Sequence, residues 1–600
     1  MVTMIINSLV AALALATAPA DSLPPDVDYR IEAILDEEAE VLRARAELRY
    51  TNHATTALDT LWLHQHLNAF RPNSAWAQRE LEFGNRRFQD LGPEAHAFER
   101  LSTVTVDGTE VNPVYPGSPD STVVALPLPS PLSPGSTAVV RMDWTARPST
   151  LPRRQGRRGR HYDFAQWYPR VAAHTAEGWQ VQPLLPQGEF FGEFGSYDVT
   201  LDLAADQVVG ATGVPVEGDP GWADAAAPGQ AAPRLGADAY APLQARSLGL
   251  LADAPEQGRK RIRWRAEDVH HFAWSADPEF IYEGGEASIS GPNTGPILVH
   301  VLYLPGDDDW SGGTALSRTI TALDWFQSML GAYPWPQLTN LHRIESGGTE
   351  FPMLVMNGSA SEGLIVHEVA HQFFHGVLAN NEFREGWLDE GVASFLTDWY
   401  HETQGNPDVW LPSLRGIIQL ERSGRTQPIS TPGADFTDPE IYSAMTYTKA
   451  ELVLRMLRWM VGEEVMLRAL RTLYDRHALS HIDEEDFRAA FAEVYPEDLG
   501  WFFDQWLHTT AQLDYSIAEA NTRQLPDGSW YTSVAVEREG DAWMPVTLQI
   551  AEETGLLTGD GRRQELQVTT QSRPAEVVLD PENVLIDVNP SNNRSPVSGP

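Results

Sequence analysis

The sequence predicts a multidomain α+β protein: an antiparallel β domain over residues 26–277, a mainly helical domain over 278–511, and a small β sandwich over 512–590. Three observations predict it. The chain has 600 residues, several times the length of a single domain. Its composition, 42% hydrophobic, 10% aromatic and 21% charged, is that of a globular protein and excludes collagen-like, coiled-coil and low-complexity chains. Apolar residues alternate at period two before residue 277 and after 514, and fall at near-helical spacing between.

The first twenty residues read as a secretory signal peptide. Residues 5–16 are a short apolar run, and Ala18, Pro19 and Ala20 have the small-x-small pattern of a cleavage site before Asp21. The run is too short for a stable membrane span, and no other stretch is long and apolar enough. The expected mature chain is therefore without a span and is secreted or periplasmic. Within 26–277, Leu42, Ala44, Ala46, Leu48 and Tyr50 alternate with Arg43, Arg45, Glu47 and Arg49, so one strand face is buried and the other wet. Similar strands are expected at 103–106, 139–144, 197–203 and 261–264, separated by Pro- and Gly-rich turns. Helices are expected at 314–330, 361–377, 390–401, 448–461 and 499–507. Alternation returns at 530–536, 546–550, 566–569 and 577–579, and the polar residues 591–600 are expected to be a disordered tail. No internal repeat is visible.

Charge and composition narrow the chemistry. Forty-three basic against 83 acidic residues give a formal charge of −40, which repels nucleic acid and anionic membranes. Only Lys260 and Lys449 are lysines. With no cysteine, disulfides, thiolate metal sites and cysteine nucleophiles are excluded, and any metal must be held by His and carboxylates.

The decisive string is His367-Glu368-Val369-Ala370-His371, in an apolar segment expected to be helical over 364–378. Histidines at i and i+4 share one helical face, so both imidazoles can reach one Zn²⁺, with Glu368 beside it as a candidate general base. Glu390, nineteen residues after His371 in Gly386-Trp387-Leu388-Asp389-Glu390-Gly391, is the candidate third ligand. Asn380 and Asn381 lie between and let a second helix fold back on the first.

This pattern resembles the gluzincin metallopeptidases of the aminopeptidase N and leukotriene-hydrolase type. Gly347-Gly348-Thr349-Glu350-Phe351 resembles that family's exopeptidase motif, with Thr349 where Met is usual, and Tyr447-Thr448-Lys449-Ala450 resembles its Tyr-x-Lys-Gly segment. The resemblance covers most of the chain, leaves no room for the family's large helical C-terminal domain, and implies a saddle-like β domain, a thermolysin-like catalytic domain and a β sandwich. It implies one zinc ion on His367, His371 and Glu390, Glu368 as proton acceptor and donor, and Tyr447 as a hydroxyl donor to the oxyanion. It further implies that Glu350, with Gly347 and Gly348, takes the α-ammonium of a peptide substrate. Gln166, in Phe164-Ala165-Gln166-Trp167, is a candidate for contact with the substrate's N-terminus, set against a buried packing role.

Lesser features carry expectations too. Asp389 is either an orienting partner for a zinc histidine or an exposed helix acid. Lys449 is expected on an exposed helix face. His375 is not expected to be a ligand, and His270 and His271 are expected at a domain junction. The basic run Arg153, Arg154, Arg157, Arg158 and Arg160 is expected to be an exposed loop pairing with the chain's own acids. The function expected is a secreted zinc aminopeptidase; the alternatives are a zinc endopeptidase of thermolysin type, a hydrolase with a second activity on small lipid epoxides, and an inactive zinc-bound scaffold.

Overall fold

The computed structural model describes residues 27–188, 190–230, 233–241, 243–244, 246–289 and 295–599. The expected signal peptide, residues 1–20, lies outside the described residues. No helix among the described residues is long and apolar enough to cross a membrane.

An eight-stranded sheet dominates the N-terminal part, in the order 214–217, 259–269, 195–204, 27–36, 41–51, 137–147, 98–106 and 109–110. The strand Val41–Thr51 buries Leu42, Ala44, Ala46, Leu48 and Tyr50, as the alternation requires. Every other strand read from the sequence here falls inside Phe98–Val106, Thr137–Arg147, Gly195–Ala204 or Arg259–Val269. The sheet is not wholly antiparallel: Val27–Asp36 pairs in parallel with Gly195–Ala204. The two strands are far apart in sequence, so no hairpin forces them antiparallel. A smaller sheet of 208–211, 274–277, 161–164 and 156–158 faces the catalytic part.

The stretch expected to be mainly helical also holds a five-stranded mixed sheet, in the order 281–286, 298–303, 337–342, 354–357 and 350–351. Sequence periodicity missed it because Leu298–Tyr303 and Leu354–Asn357 are buried along their whole length, so no wet face marks a period of two. The helices Thr314–Met329 and Glu362–Ala370 pack on it, Val392–Thr403 packs on Glu362–Ala370, and Ala450–Val461 packs on Val392–Thr403; Gly500–His508 is a further helix of this part. The helix bearing the His-Glu-x-x-His string is shorter than expected. It ends at Ala370 with His371 as its cap, and Leu378–Asn380 is a strand paired in parallel with Ser480–Ile482. The helix is not resumed beyond this turn, because His375 has a φ of 117°, which no helix accommodates.

The C-terminal part is two sheets, one of 515–524, 530–538 and 563–570 and one of 553–557, 546–550, 576–579 and 594–596. The expectation of a disordered tail is corrected here. Arg594–Pro596 pairs with Glu576–Leu579, and Ser598 exchanges backbone hydrogen bonds with Ala520 and Thr522. Polar residues and a proline are what an edge strand tolerates, so polarity alone misread it.

Candidate active site

The helix Glu362–Ala370 places His367 and His371 on one face, one turn apart. Glu390 comes from a single turn of π-helix, Trp387–Gly391, rather than from the regular helix that follows it. A π-turn shifts the register of side chains and so re-aims them, a device common at functional sites. His367 Nε2, His371 Nε2 and Glu390 Oε2 form an equilateral triangle: each pair is 3.2 Å apart. A tetrahedral ion with bonds of about 2.0–2.1 Å demands donor separations of about 3.3 Å. Two imidazole nitrogens at 3.2 Å facing one carboxylate oxygen thus suit a shared cation.

The neighbours fix the tautomer this needs. His371 Nδ1 donates to Asp389 Oδ1 at 2.6 Å, which leaves the Nε2 lone pair directed at the triangle. Asp389 is fully buried, so of its two expected readings the exposed one is wrong. The Tyr447 hydroxyl donates to Glu390 Oε1, and its ring stacks on His367. Tyr447 lies on a second π-turn, Ala444–Lys449. The two π-turns press together where a Cβ on Gly391 would lie 2.5 Å from Ala450 Cβ and 2.9 Å from Thr446 O.

Glu368 is 3% exposed and its Oε2 has no hydrogen-bond partner. Burial first, and the nearby Glu350 carboxylate second, push its carboxyl up to about 8. Gly348 lies against it so closely that a Cβ there would sit 1.8 Å from Glu368 Oε1. Gly347, at φ 77°, turns the chain into the strand Glu350–Phe351, whose Glu350 is also 3% exposed with an unpartnered Oε1. The structure therefore brings His367, Glu368, His371, Glu390, Tyr447, Gly348 and Glu350 together. Gln166 is buried, at φ 56°, with its amide nitrogen unpartnered.

Two other expectations are corrected. Lys449 is not exposed: its Nζ meets Glu421 Oε1 at 2.8 Å, with both side chains buried. The basic run does pair with acids, through Arg153–Glu345, Arg157–Glu40 and Arg160 with Glu37 and Asp206, yet Arg154 and Arg157 are buried rather than exposed. His375 stays outside the triangle, and its partner Glu382, a fully buried acid missed in the sequence, lies at 2.5 Å. No spacing rule marks a carboxylate seven residues away across a chain reversal.

Residues 354–506 match the model of the peptidase family M1 domain. Over that stretch the chain is similar to the peptidase family M1 domain. The resemblance to aminopeptidase N-type gluzincins read from the motifs therefore holds. The chain is similar to alanine/arginine aminopeptidase of Saccharomyces cerevisiae, 26% identical over 43% of this chain and 33% of that protein. It is also similar to aminopeptidase 2 of Candida albicans, 32% identical over 35% of this chain and 23% of that protein. The chain thus spans a third or less of the length of these curated relatives. The fold around the M1 domain is that of solved structures. Legionella pneumophila aminopeptidase A in complex with aspartic acid matches 97% of this chain and 60% of its own, with TM-score 0.63 at 13% identity. The M1 zinc metallopeptidase of Deinococcus radiodurans matches 81% of this chain and 95% of its own, with TM-score 0.55 at 16% identity.

Proposed function

We propose that the chain is a zinc-dependent aminopeptidase that removes N-terminal residues from peptides. The observation that carries the reading is the 3.2 Å triangle of His367, His371 and Glu390 with two buried, unpaired carboxylates, Glu368 and Glu350, beside it. Zinc, when bound by those three residues, supplies the Lewis acidity that makes water nucleophilic at neutral pH and polarises a carbonyl. Glu368 accepts the proton of the attacking water and returns it to the leaving amine. Its position inside the fold and against Gly348 keeps the carboxylate from turning away. Tyr447 offers its hydroxyl to the oxygen on which charge builds, and Glu390 Oε1 holds that hydroxyl at the triangle until then.

Glu350 separates exopeptidase from endopeptidase action. A buried carboxylate without a partner is costly, and a substrate α-ammonium compensates it, registering the first peptide bond over Glu368. Gln166 is proposed to add a contact to the same N-terminus. Matched aminoacyl and N-acetyl-aminoacyl coumarins test the reading. The free-amine substrate should turn over at least ~100-fold faster in kcat/KM, and equal rates would make the protein an endopeptidase. For localisation we propose export with cleavage after Ala20; N-terminal sequencing of the exported chain reads Asp21 first if this holds.

A further inference from the structure

Behind the triangle lies a second buried cluster that this chemistry leaves largely unused. Glu350, His375, Glu382 and Asp389 each place one potential ligand atom within 4.8 Å of all the others. All four are at most 3% exposed. Three carboxyls and an imidazole shut off from water must hold protons or gain compensating positive charge, and among the described residues none of the three acids pairs with Lys or Arg. Part of the bonding capacity is spent. His375 Nδ1 meets Glu382 Oε1 at 2.5 Å, Glu382 Oε2 accepts from the Phe190 amide at 2.7 Å, and Asp389 Oδ1 accepts from His371. The rest is not: Glu350 Oε1, His375 Nε2 and Asp389 Oδ2 are buried without any hydrogen-bond partner. These atoms come from a strand, a chain reversal and a π-turn, so no single element's geometry accounts for their convergence.

We propose that Glu350, His375, Glu382 and Asp389 form a second site for a divalent transition-metal cation, and that its occupation shuts the substrate's α-ammonium out of the Glu350 subsite. A set of carboxylates with one neutral imidazole suits Zn²⁺ or Mn²⁺. The four ligand atoms all lie within 4.8 Å of one another, a range that includes the about 4.2–4.4 Å across opposite corners of a site with bonds of about 2.1–2.2 Å. A dication offsets two of the three carboxylates, where an ammonium ion offsets one. The metal site stands on these four residues alone; the competition also rests on the reading of Glu350 as the amine anchor. Free metal then becomes a brake on the enzyme, acting next to the catalytic ion without displacing it.

Equilibrium dialysis of the full chain against Zn²⁺, read by elemental mass spectrometry, tests the site directly. Wild-type protein should bind two tight equivalents, and the near-isosteric His375→Gln and Glu382→Gln variants one each. Melting curves confirm that at least one variant is folded. A single tight equivalent in wild type, or two in a folded variant, overturns the proposal. In kinetics on a free-amine substrate, Zn²⁺ at ten times the second-site Kd should raise KM about tenfold at constant kcat. Neither variant should respond. Two bound equivalents with no rise in KM would remove the competition. Should wild type without added metal cleave free and N-acetylated substrates equally, the aminopeptidase reading fails instead, while the stoichiometry still reports on the site.

Discussion

Gly348 and Glu368 are one device at the scale of single residues. The glycine is required because the carboxylate occupies the space a side chain would need. Gly348→Ala drives a methyl group into Glu368 Oε1, and the base must swing off its line of attack. A displacement of about 1 Å at a reacting group costs about 100-fold in rate, so kcat should fall by that order while zinc content stays at the wild-type level. Loss of zinc, or an unchanged kcat, would show that the contact does not hold the base. Glu368→Gln keeps the shape but removes the proton acceptor; kcat should drop ~10²–10⁴-fold with the metal retained. Tyr447→Phe removes a donor aimed at developing charge, and kcat should fall by ~10²–10³ with KM nearly constant. Single-turnover kinetics with metal analysis separates these outcomes from simple loss of the ion.

At the scale of elements, the site is made by two π-turns rather than by two helices. Trp387–Gly391 carries Glu390 and Ala444–Lys449 carries Tyr447. The second is pinned by Lys449, whose buried ammonium meets Glu421 on the helix Leu411–Ser423. Lys449→Met leaves Glu421 buried without a counter-charge and should destabilise the protein by ~3–5 kcal/mol in denaturant unfolding. Adding Glu421→Leu should recover most of that loss, because an apolar pair of similar volume costs little. A double variant as unstable as the single one would mean that the pair is not coupled. The same elements explain what could be read from the sequence. His367, His371 and Glu390 were legible because one helical turn and a loop return are local geometry, and the half-wet strand Val41–Thr51 because its two faces differ in solvent. The all-buried strands of the five-stranded sheet, the early end of the helix at Ala370, and the burial of Lys449 and Asp389 were not. Each is decided by tertiary neighbours distant in sequence, which periodicity cannot register.

At the scale of the whole molecule, the β part holds the segment that leads to Glu350. Asp163, on the strand His161–Phe164, accepts the Ile344 amide at 2.9 Å, and Arg153 reaches Glu345. Asp163 is in turn set by His161, whose Nε2 lies 3.0 Å from Asp163 and whose Nδ1 lies 2.9 Å from Asp277. Both ring nitrogens face carboxylates, and only the imidazolium form can donate to both. Burial opposes that charge, but the two carboxylates outweigh it and raise the His161 pKa to about 9. Because the folded value lies above the unfolded one, near 6.5, the stabilisation is complete below about pH 6.5. It is lost as pH rises through about 9, and a gap of this size is worth ~3 kcal/mol. Wild-type protein should therefore lose thermal stability between about pH 6.5 and 9.5 more steeply than His161→Gln, which has no proton to lose there. Other raised groups, Glu368 among them, titrate in the same window, so the difference between the two profiles is the measurement. Parallel profiles would mean that His161 is neutral in the fold and that the β part holds the Glu350 segment by geometry alone.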